Sequence, residues 1–158
     1  MGMNNSRNFD LLTLGQVLLR LSPPDNERLS RGDTFVKQVG GAELNVAVGA
    51  ALLGLHTGVI SKLPAHDIGS FMKGKIRSFG VSDDFFMYDH SSSARVGIYY
   101  YENGAYPRKP KVIYDRNNSS FFSLNIDEIP EEVYTASKCF HTTGITLALN
   151  EDIRETTI

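Results

Sequence analysis

A paired glycine that leads directly into a run of helix-forming residues is the feature that most constrains the fold of this chain. Gly40 and Gly41 let the backbone turn tightly and approach a ligand, because neither residue carries a Cβ. The residues that follow predict a helix over 42–53, which ends at Gly54 in a left-handed cap. The first free N–H groups of such a helix face the same space as the glycine turn. This unit can hold a small polar or anionic ligand.

The side chains of this helix allow a functional and a purely structural interpretation. Small residues at Ala47, Gly49, Ala50 and Ala51 predict that another element packs very close to the helix. Asn45 is polar and lies one turn after the glycine pair, so we expect a buried amide that a ligand hydroxyl could satisfy. The alternative is that the glycines only form a turn and the helix only packs in a core.

Short apolar runs alternate with helical patterns along the chain. This alternation predicts an α/β domain with a mainly parallel central sheet flanked by helices. The expected strands are Phe9–Leu14, 57–62, 85–88 and 138–141, and the further helices are 67–79 and a short one over 126–134 broken by Pro130.

Three further β-rich segments have polar faces and do not suit that central sheet. They lie at 17–21, at 34–39 and in a hairpin that joins 94–102 to Lys111–Asp115. We expect them to form a small separate sheet, with strands around 17–39 and 94–116.

Composition and charge exclude several classes of protein. A formal net charge of −2 without a Lys/Arg cluster argues against a nucleic-acid or membrane surface. No apolar run is long enough to span a bilayer and no secretory signal is evident, so we expect a soluble cytoplasmic protein. The single cysteine, Cys139, lies in an apolar run and is expected to be a buried structural thiol.

The end of the chain predicts an interrupted fold. Asn150 is a good N-cap, but the helix that it begins has scarcely two turns before Ile158. The sheet stops partway, so we interpret residues 1–158 as the N-terminal portion of one longer α/β domain.

Four motifs in order identify a family. Residues 40–54, 96–102, 111–116 and 140–149, together with Leu14 and Gly15, resemble the ribokinase-like, PfkB-type carbohydrate kinases and their 2-keto-3-deoxygluconate kinase branch. The resemblance runs from Phe9 to the last residue. It implies a ribokinase-like fold in which the small sheet is a lid over the sugar site and often a dimer contact. It also implies phosphorylation of a sugar acid by ATP with Mg²⁺.

The resemblance also assigns a substrate site. Arg116 would bind the carboxylate, since a guanidinium fork matches a carboxylate. From the residues alone, Arg116 could instead pair with Asp115, and the two tyrosines could be ordinary cross-strand packing. The residues carried over to substrate binding are Gly41 and Asn45 for hydroxyls, Tyr99, Tyr114 and Arg116 as further contacts, and Gly40 and Gly144 as residues that shape the site.

Other polar residues give weaker indications. Arg108 is a second candidate cation, expected to be solvated, and His141 is expected to be a structural hydrogen-bonding residue rather than a general base. The remaining histidines show no metal-binding spacing, so we expect no metal site. Neither a dinucleotide fingerprint nor a P-loop occurs in the sequence.

Two departures from the family pattern limit the functional prediction. Gln16 stands where this branch usually has Glu, and the family's Gly-Ala-Gly-Asp run, whose Asp is the general base, does not occur. The nucleotide pocket also lies mostly in that later part of the family. We therefore expect this segment alone to be inactive. The alternatives are a non-catalytic sugar-acid-binding or decayed fragment, and a PfkB kinase for a neutral sugar such as fructose.

Overall fold

A parallel sheet forms the centre of the molecule. The computed structural model describes residues 8–158, and in that range five strands join in a sheet whose pairs are all parallel. The strands are β1 (Phe9–Leu14), β4 (Thr57–Pro64), β5 (Val81–Ser82), β6 (Phe86–Asp89) and β9 (Ser137–His141). Their order is β5-β4-β1-β9, and β6 pairs with the later part of β4, on from the residues that pair with β5. Strands β1 and β4 are buried almost throughout, as expected where both faces of a parallel sheet are covered.

Each face of this sheet packs in its own hydrophobic cluster. Helices α1 (Ala42–Leu52) and α2 (Asp67–Arg77) cover one face around Leu44, Val59 and Met72. The other face packs Leu12 and Ile60 against the later part of the chain. That part contains 3₁₀ turns at Ser120–Ser123 and Ile126–Glu128, and the helices α3 (Val133–Ala136), α4 (Gly144–Leu147) and α5 (Glu151–Thr157).

A second, smaller sheet of four strands is present in the described residues and has the order β3-β2-β7-β8. It contains β2 (Leu18–Ser22), β3 (Val36–Gly40), β7 (Gly97–Glu102) and β8 (Lys111–Asp115). The β7–β8 pair is the predicted antiparallel hairpin, whereas β2 and β7 run parallel. The prediction of a mainly parallel central sheet with a small separate sheet is confirmed.

The structure corrects several local expectations. Residues 126–134 form two short pieces instead of one helix, and the two-residue strand β5 was not predicted. Cys139 lies in the edge strand β9 and is exposed because no described element covers its side chain, so the prediction of a buried thiol was wrong. None of the helices between residues 8 and 158 combines the length and hydrophobicity that a membrane span requires.

The helix that follows the glycine pair is packed less closely than predicted. Gly54 has the expected left-handed φ of 89°. Only Ala47 among the small residues is fully buried, and a Cβ at Gly49 would meet nothing within 4 Å. The expectation of a close neighbour along the whole small-residue flank was therefore wrong.

Candidate functional site

A cavity of about 250 Å³ lies between the N-terminus of α1 and the small sheet. The turn before α1, the ends of β7 and β8, and the link between β1 and β2 form its wall. The residues that line it are Gln16, Leu18, Gly41, Ala42, Glu43, Asn45, Tyr99, Tyr114, Arg116 and Ile145. Five of the seven residues predicted for the substrate site thus line one cavity.

The glycine pair holds this wall together by close approach. Gly41 has a φ of 142°, and a Cβ there would lie 2.6 Å from the carbonyl oxygen of Gln16. A Cβ at Gly40 would lie 2.4 Å from the hydroxyl of Tyr99. The pair therefore lets the turn contact both the β1–β2 link and strand β7. Gly41 also adopts a positive φ that residues with a side chain disfavour.

The two tyrosines face each other across the hairpin. Tyr99 and Tyr114 are register partners in β7 and β8, with ring centroids 6.0 Å apart and tilted by 34°. Burial raises the pKa of the Tyr99 phenol above its usual value, so this hydroxyl stays neutral and can both donate and accept. Tyr114 is exposed and forms the outer rim of the cavity.

Arg116 supplies positive charge to the cavity and forms no direct ion pair with another described residue. Its guanidinium carbon lies 5.9 Å from the centre of the Tyr114 ring. Asp115 pairs with Arg95 at 2.8 Å, and Arg116 has no ion pair among residues 8–158. Its Nε is buried without a hydrogen-bond partner in the same range. Burial lowers the pKa of Arg116, whereas Tyr114 and Glu43 raise it, and a guanidinium stays protonated under such a shift.

Glu43 is a buried residue of the site that the sequence analysis missed. Its Oε1 accepts hydrogen bonds from the Thr143 backbone N–H at 3.1 Å, the Thr143 hydroxyl at 2.5 Å and the Thr146 hydroxyl at 2.7 Å. These bonds fasten the first turn of α1 to α4. A Cβ at Gly15 would lie 2.3 Å from the Glu43 carboxyl, so this glycine leaves room for the carboxylate. In the sequence, Thr143 and Thr146 are spaced so that both hydroxyls can lie on one side of a helical turn. Only the fold shows that both of them reach Glu43.

Gln16 was noted only as a departure from the family pattern. Its side chain is buried, and its Nε2 donates to the Ser119 hydroxyl at 2.6 Å and to the Arg116 carbonyl at 3.3 Å. The amide thus fixes the backbone at Arg116 from inside the cavity wall.

Other predicted residues lie differently from expectation. Asn45 lines the cavity but is exposed, so the expected buried amide was wrong. Gly144 is exposed beside the cavity-lining Ile145, and a Cβ there would meet nothing within 4 Å. Arg108 is only partly exposed, because it pairs with Glu102 and donates to the Asn26 carbonyl at 2.6 Å. His141 lies outside the cavity lining, and its Nε2 is buried without a partner among the described residues, so the expected hydrogen bond is not found there.

A larger cavity of about 510 Å³ lies against β9 and α5. Its lining is mostly apolar, and Lys138, Thr156 and Thr157 in that lining bond to other residues of the chain. The smaller cavity is the better candidate for a polar ligand, because Arg116 and Gln16 in its wall each carry a polar atom without a partner among residues 8–158.

The described residues do not fit a metal centre. Between residues 8 and 158, no three His, Cys, Asp or Glu side chains come together in a group that could hold a metal ion. The arrangement is instead suited to binding an anionic, hydroxylated ligand, with Arg116 as the cation and the tyrosine and amide groups as hydrogen-bonding partners.

Known proteins resemble almost the whole chain. The model of the pfkB family carbohydrate kinases matches residues 8–158. A 2-dehydro-3-deoxygalactonokinase of Haloferax volcanii is 38% identical over 94% of this chain and 46% of its own length. A 5-dehydro-2-deoxygluconokinase of Bacillus cereus is 31% identical over 90% of this chain and 43% of its own length.

A solved structure has the same fold. The crystal structure of 2-dehydro-3-deoxygluconokinase from Thermotoga maritima superimposes with a TM-score of 0.88 and 35% identity, over 94% of this chain and 45% of that chain. The chain thus spans less than half the length of these relatives. Because the family model matches the chain almost from end to end, the chain belongs to the pfkB family of carbohydrate kinases.

Proposed function

We propose that this chain supplies the sugar-acid site of a kinase that phosphorylates 2-keto-3-deoxygluconate to its 6-phosphate. The observation that carries the proposal is Arg116, whose buried Nε has no partner in residues 8–158 and which lines a cavity together with Tyr99 and Tyr114. A cation that forms no direct ion pair among residues 8–158, in a small polar cavity, favours an anionic ligand.

The names of the relatives support the same substrate class. The Haloferax volcanii and Thermotoga maritima proteins are named as kinases of 2-dehydro-3-deoxy sugar acids, and 2-dehydro is another term for 2-keto. The Haloferax protein is named for the galactonate, so the galacto epimer is the second candidate substrate.

Each proposed contact follows from the position of a residue in the cavity. Arg116 binds the carboxylate, and Asn45 with the Gly41 backbone holds hydroxyls at the open N-terminus of α1. Tyr99 and Tyr114 contact the carbon chain and its hydroxyls. Gly40 shapes the wall by admitting the Tyr99 hydroxyl, and Gly144 leaves open space beside Ile145.

The remaining parts of the reaction are not assigned to described residues. ATP is the proposed phosphoryl donor with Mg²⁺ as its usual companion, but residues 8–158 hold no cluster suited to the metal, and we assign no general base among them. We propose that residues 1–158 are the N-terminal portion of one ribokinase-like domain of a cytoplasmic enzyme. Strands around 17–39 and 94–116 would form its lid and contribute to self-association.

The proposal is tested by coupled measurement of ADP release. The protein produced from its own gene, with its length checked by intact mass, should release ADP with 2-keto-3-deoxygluconate and ATP, and much less with fructose. The purified 158-residue chain should bind the acid without releasing ADP. Equal rates of ADP release with fructose and with 2-keto-3-deoxygluconate would contradict the sugar-acid site. ADP release by the 158-residue chain would contradict the proposal that the general base lies outside it.

A further inference from the structure

The amide of Gln16 places an unused hydrogen-bond acceptor at the wall of the cavity. Gln16 lies in the link between β1 and β2 and is 3% exposed. Its Nε2 faces the Arg116 carbonyl, which can only accept, so the orientation of the amide is fixed. The other amide atom, Oε1, is then buried without a partner among residues 8–158.

Two cavity residues therefore carry buried atoms without partners, and these atoms are of opposite type. The Nε of Arg116 is a donor, and Oε1 of Gln16 is an acceptor. Buried polar atoms in native proteins are nearly always paired, and leaving one unpaired costs free energy. An ionised carboxylate satisfies the donor but cannot satisfy the acceptor, because it has no hydrogen to give. The acceptor needs a hydrogen-bond donor, and in a hydroxylated acid that donor is an O–H group.

We propose that Gln16 is a specificity residue whose Oε1 accepts a hydrogen bond from a hydroxyl of the same sugar acid that Arg116 binds by its carboxylate. This inference rests on the function proposed above and adds to it a second recognition element. The site then selects a hydroxylated acid over a plain keto acid. Because the amide is neutral, it can bind the hydroxyl without adding a further negative charge next to the carboxyl groups of Glu43 and the ligand.

The surroundings of Gln16 hold the amide in this position. The 2.6 Å bond to Ser119 fixes the end of the side chain. A Cβ at Gly97 would lie 2.9 Å from Nε2 and 3.3 Å from the Cβ of Arg116, so the glycine lets both side chains lie next to each other. A side chain that only filled space would not need such a fixed direction.

The test compares two ligands in ligand-observed NMR titrations of the 158-residue chain. 2-Keto-3-deoxygluconate carries the hydroxyls, and 2-oxohexanoate has the same six-carbon keto-acid chain without them. Gln16→Met should weaken the sugar acid about three- to tenfold more than it weakens 2-oxohexanoate, because the lost bond to the Arg116 carbonyl acts on both ligands whereas the lost acceptor acts on the hydroxylated ligand alone. Gln16→Glu keeps an oxygen at this position and adds a charge that acts on both carboxylates, so the ratio of the two affinities should stay close to that of the wild type.

Ser119→Ala is a second variant, which frees the amide with almost no change in volume. It should reduce the preference for the sugar acid in the same direction as Gln16→Met, even where the methionine variant does not fold. If Gln16→Met and Ser119→Ala each weaken both ligands equally, or weaken neither, the role of Gln16 is overturned, and a water molecule that permanently satisfies Oε1 would explain that result.

The outcome also separates this inference from the proposed function. Arg116→Leu should weaken both ligands, because both are carboxylates. If Arg116→Leu weakens the binding of both ligands but Gln16→Met does not change the preference for the sugar acid, the sugar-acid site is supported and the inference about Gln16 is overturned. If the wild type binds neither ligand, or Arg116→Leu changes neither affinity, the proposed function fails and the inference fails with it.

Discussion

At the scale of single residues, the charge of Arg116 is the property on which the proposed choice of ligand depends. Arg116→Leu should weaken 2-keto-3-deoxygluconate by about 1.5–3 kcal/mol, the range for a hydrogen bond to a charged group, and should not weaken fructose to the same extent. Arg95→Leu is the matched control, since it removes a neighbouring guanidinium that already pairs with Asp115. Titration calorimetry measures both variants. Equal losses for the acid and the neutral sugar would remove the carboxylate assignment.

The backbone at Gly41 gives a second prediction at this scale. Gly41→Ala should lower the free energy of unfolding by about 1–3 kcal/mol, because φ is 142° and the new Cβ would meet the Gln16 carbonyl oxygen. Gly49→Ala is the control in the same helix. It should raise the free energy of unfolding by about 0.5–1 kcal/mol, since Gly49 lies in a helix interior with open space around it. Urea denaturation measures both, and a neutral Gly41→Ala would contradict the close approach.

Local sequence order alone predicts only part of this site. The hairpin that pairs Tyr99 with Tyr114 follows from a short-range pattern, whereas the joint role of Gly41 and Arg116 was predicted from the resemblance to the family. Glu43 and Gln16 depend on partners about 100 positions away, at Thr143 and Ser119. A buried carboxylate early in a helix looks like an ordinary helix former until the fold supplies its partners.

At the scale of elements, Glu102 connects the small sheet to the loop that follows β2. The Leu29 backbone N–H donates to Glu102 at 2.9 Å, and Arg108 pairs with the same carboxylate. The Leu29 bond is the main cause that lowers the pKa of Glu102, burial opposes it, and Arg108 lowers it further. A carboxylate with a lowered folded-state pKa stabilises the fold above its unfolded pKa, and that stabilisation is lost as the pH falls through the folded value.

The thermal stability of a Glu102→Gln variant should therefore depend on pH differently from that of the wild type. The wild type should unfold at a clearly higher temperature at pH 7, and the difference should shrink once the pH falls below about 4.3, the usual pKa of Glu. Glu151→Gln, which breaks an exposed pair with Arg154, should change the unfolding temperature little. Scanning calorimetry at several pH values measures this. A difference that grows on acidification would contradict the role of the ionised carboxylate.

Prediction of whole elements succeeded where a hydrophobic pattern extends over several residues. Four apolar residues among the six of β1 indicated its position, whereas β5 has two residues and leaves almost no pattern to interpret. The apolar run around Cys139 indicated a strand but not its burial. Burial depends on whether another element covers β9, and sequence periodicity within the strand does not report that.

At the scale of the whole molecule, two edge strands expose apolar side chains to a comparable extent. Phe140 in β9 is 46% exposed and Ile113 in β8 is 43% exposed. Strand β9 ends the order of the central sheet and lies against the cavity of about 510 Å³, so it presents unpaired backbone groups beside an apolar surface. Ile113 lies on the face of the small sheet opposite to Tyr114, because side chains alternate along a strand.

These two edges should produce two kinds of self-association in the 158-residue chain. A pairing of lid sheets is closed and stops at twice the monomer mass, whereas β9 edges and their apolar surface allow growth that increases with concentration. Ile113→Lys should therefore remove a dimer, and Phe140→Lys should suppress the larger species, because a lysine in an edge strand opposes pairing. Sedimentation velocity over a range of concentrations distinguishes the two. A dimer that survives Ile113→Lys but disappears with Phe140→Lys would contradict the lid contact and place the association at the edge of the central sheet.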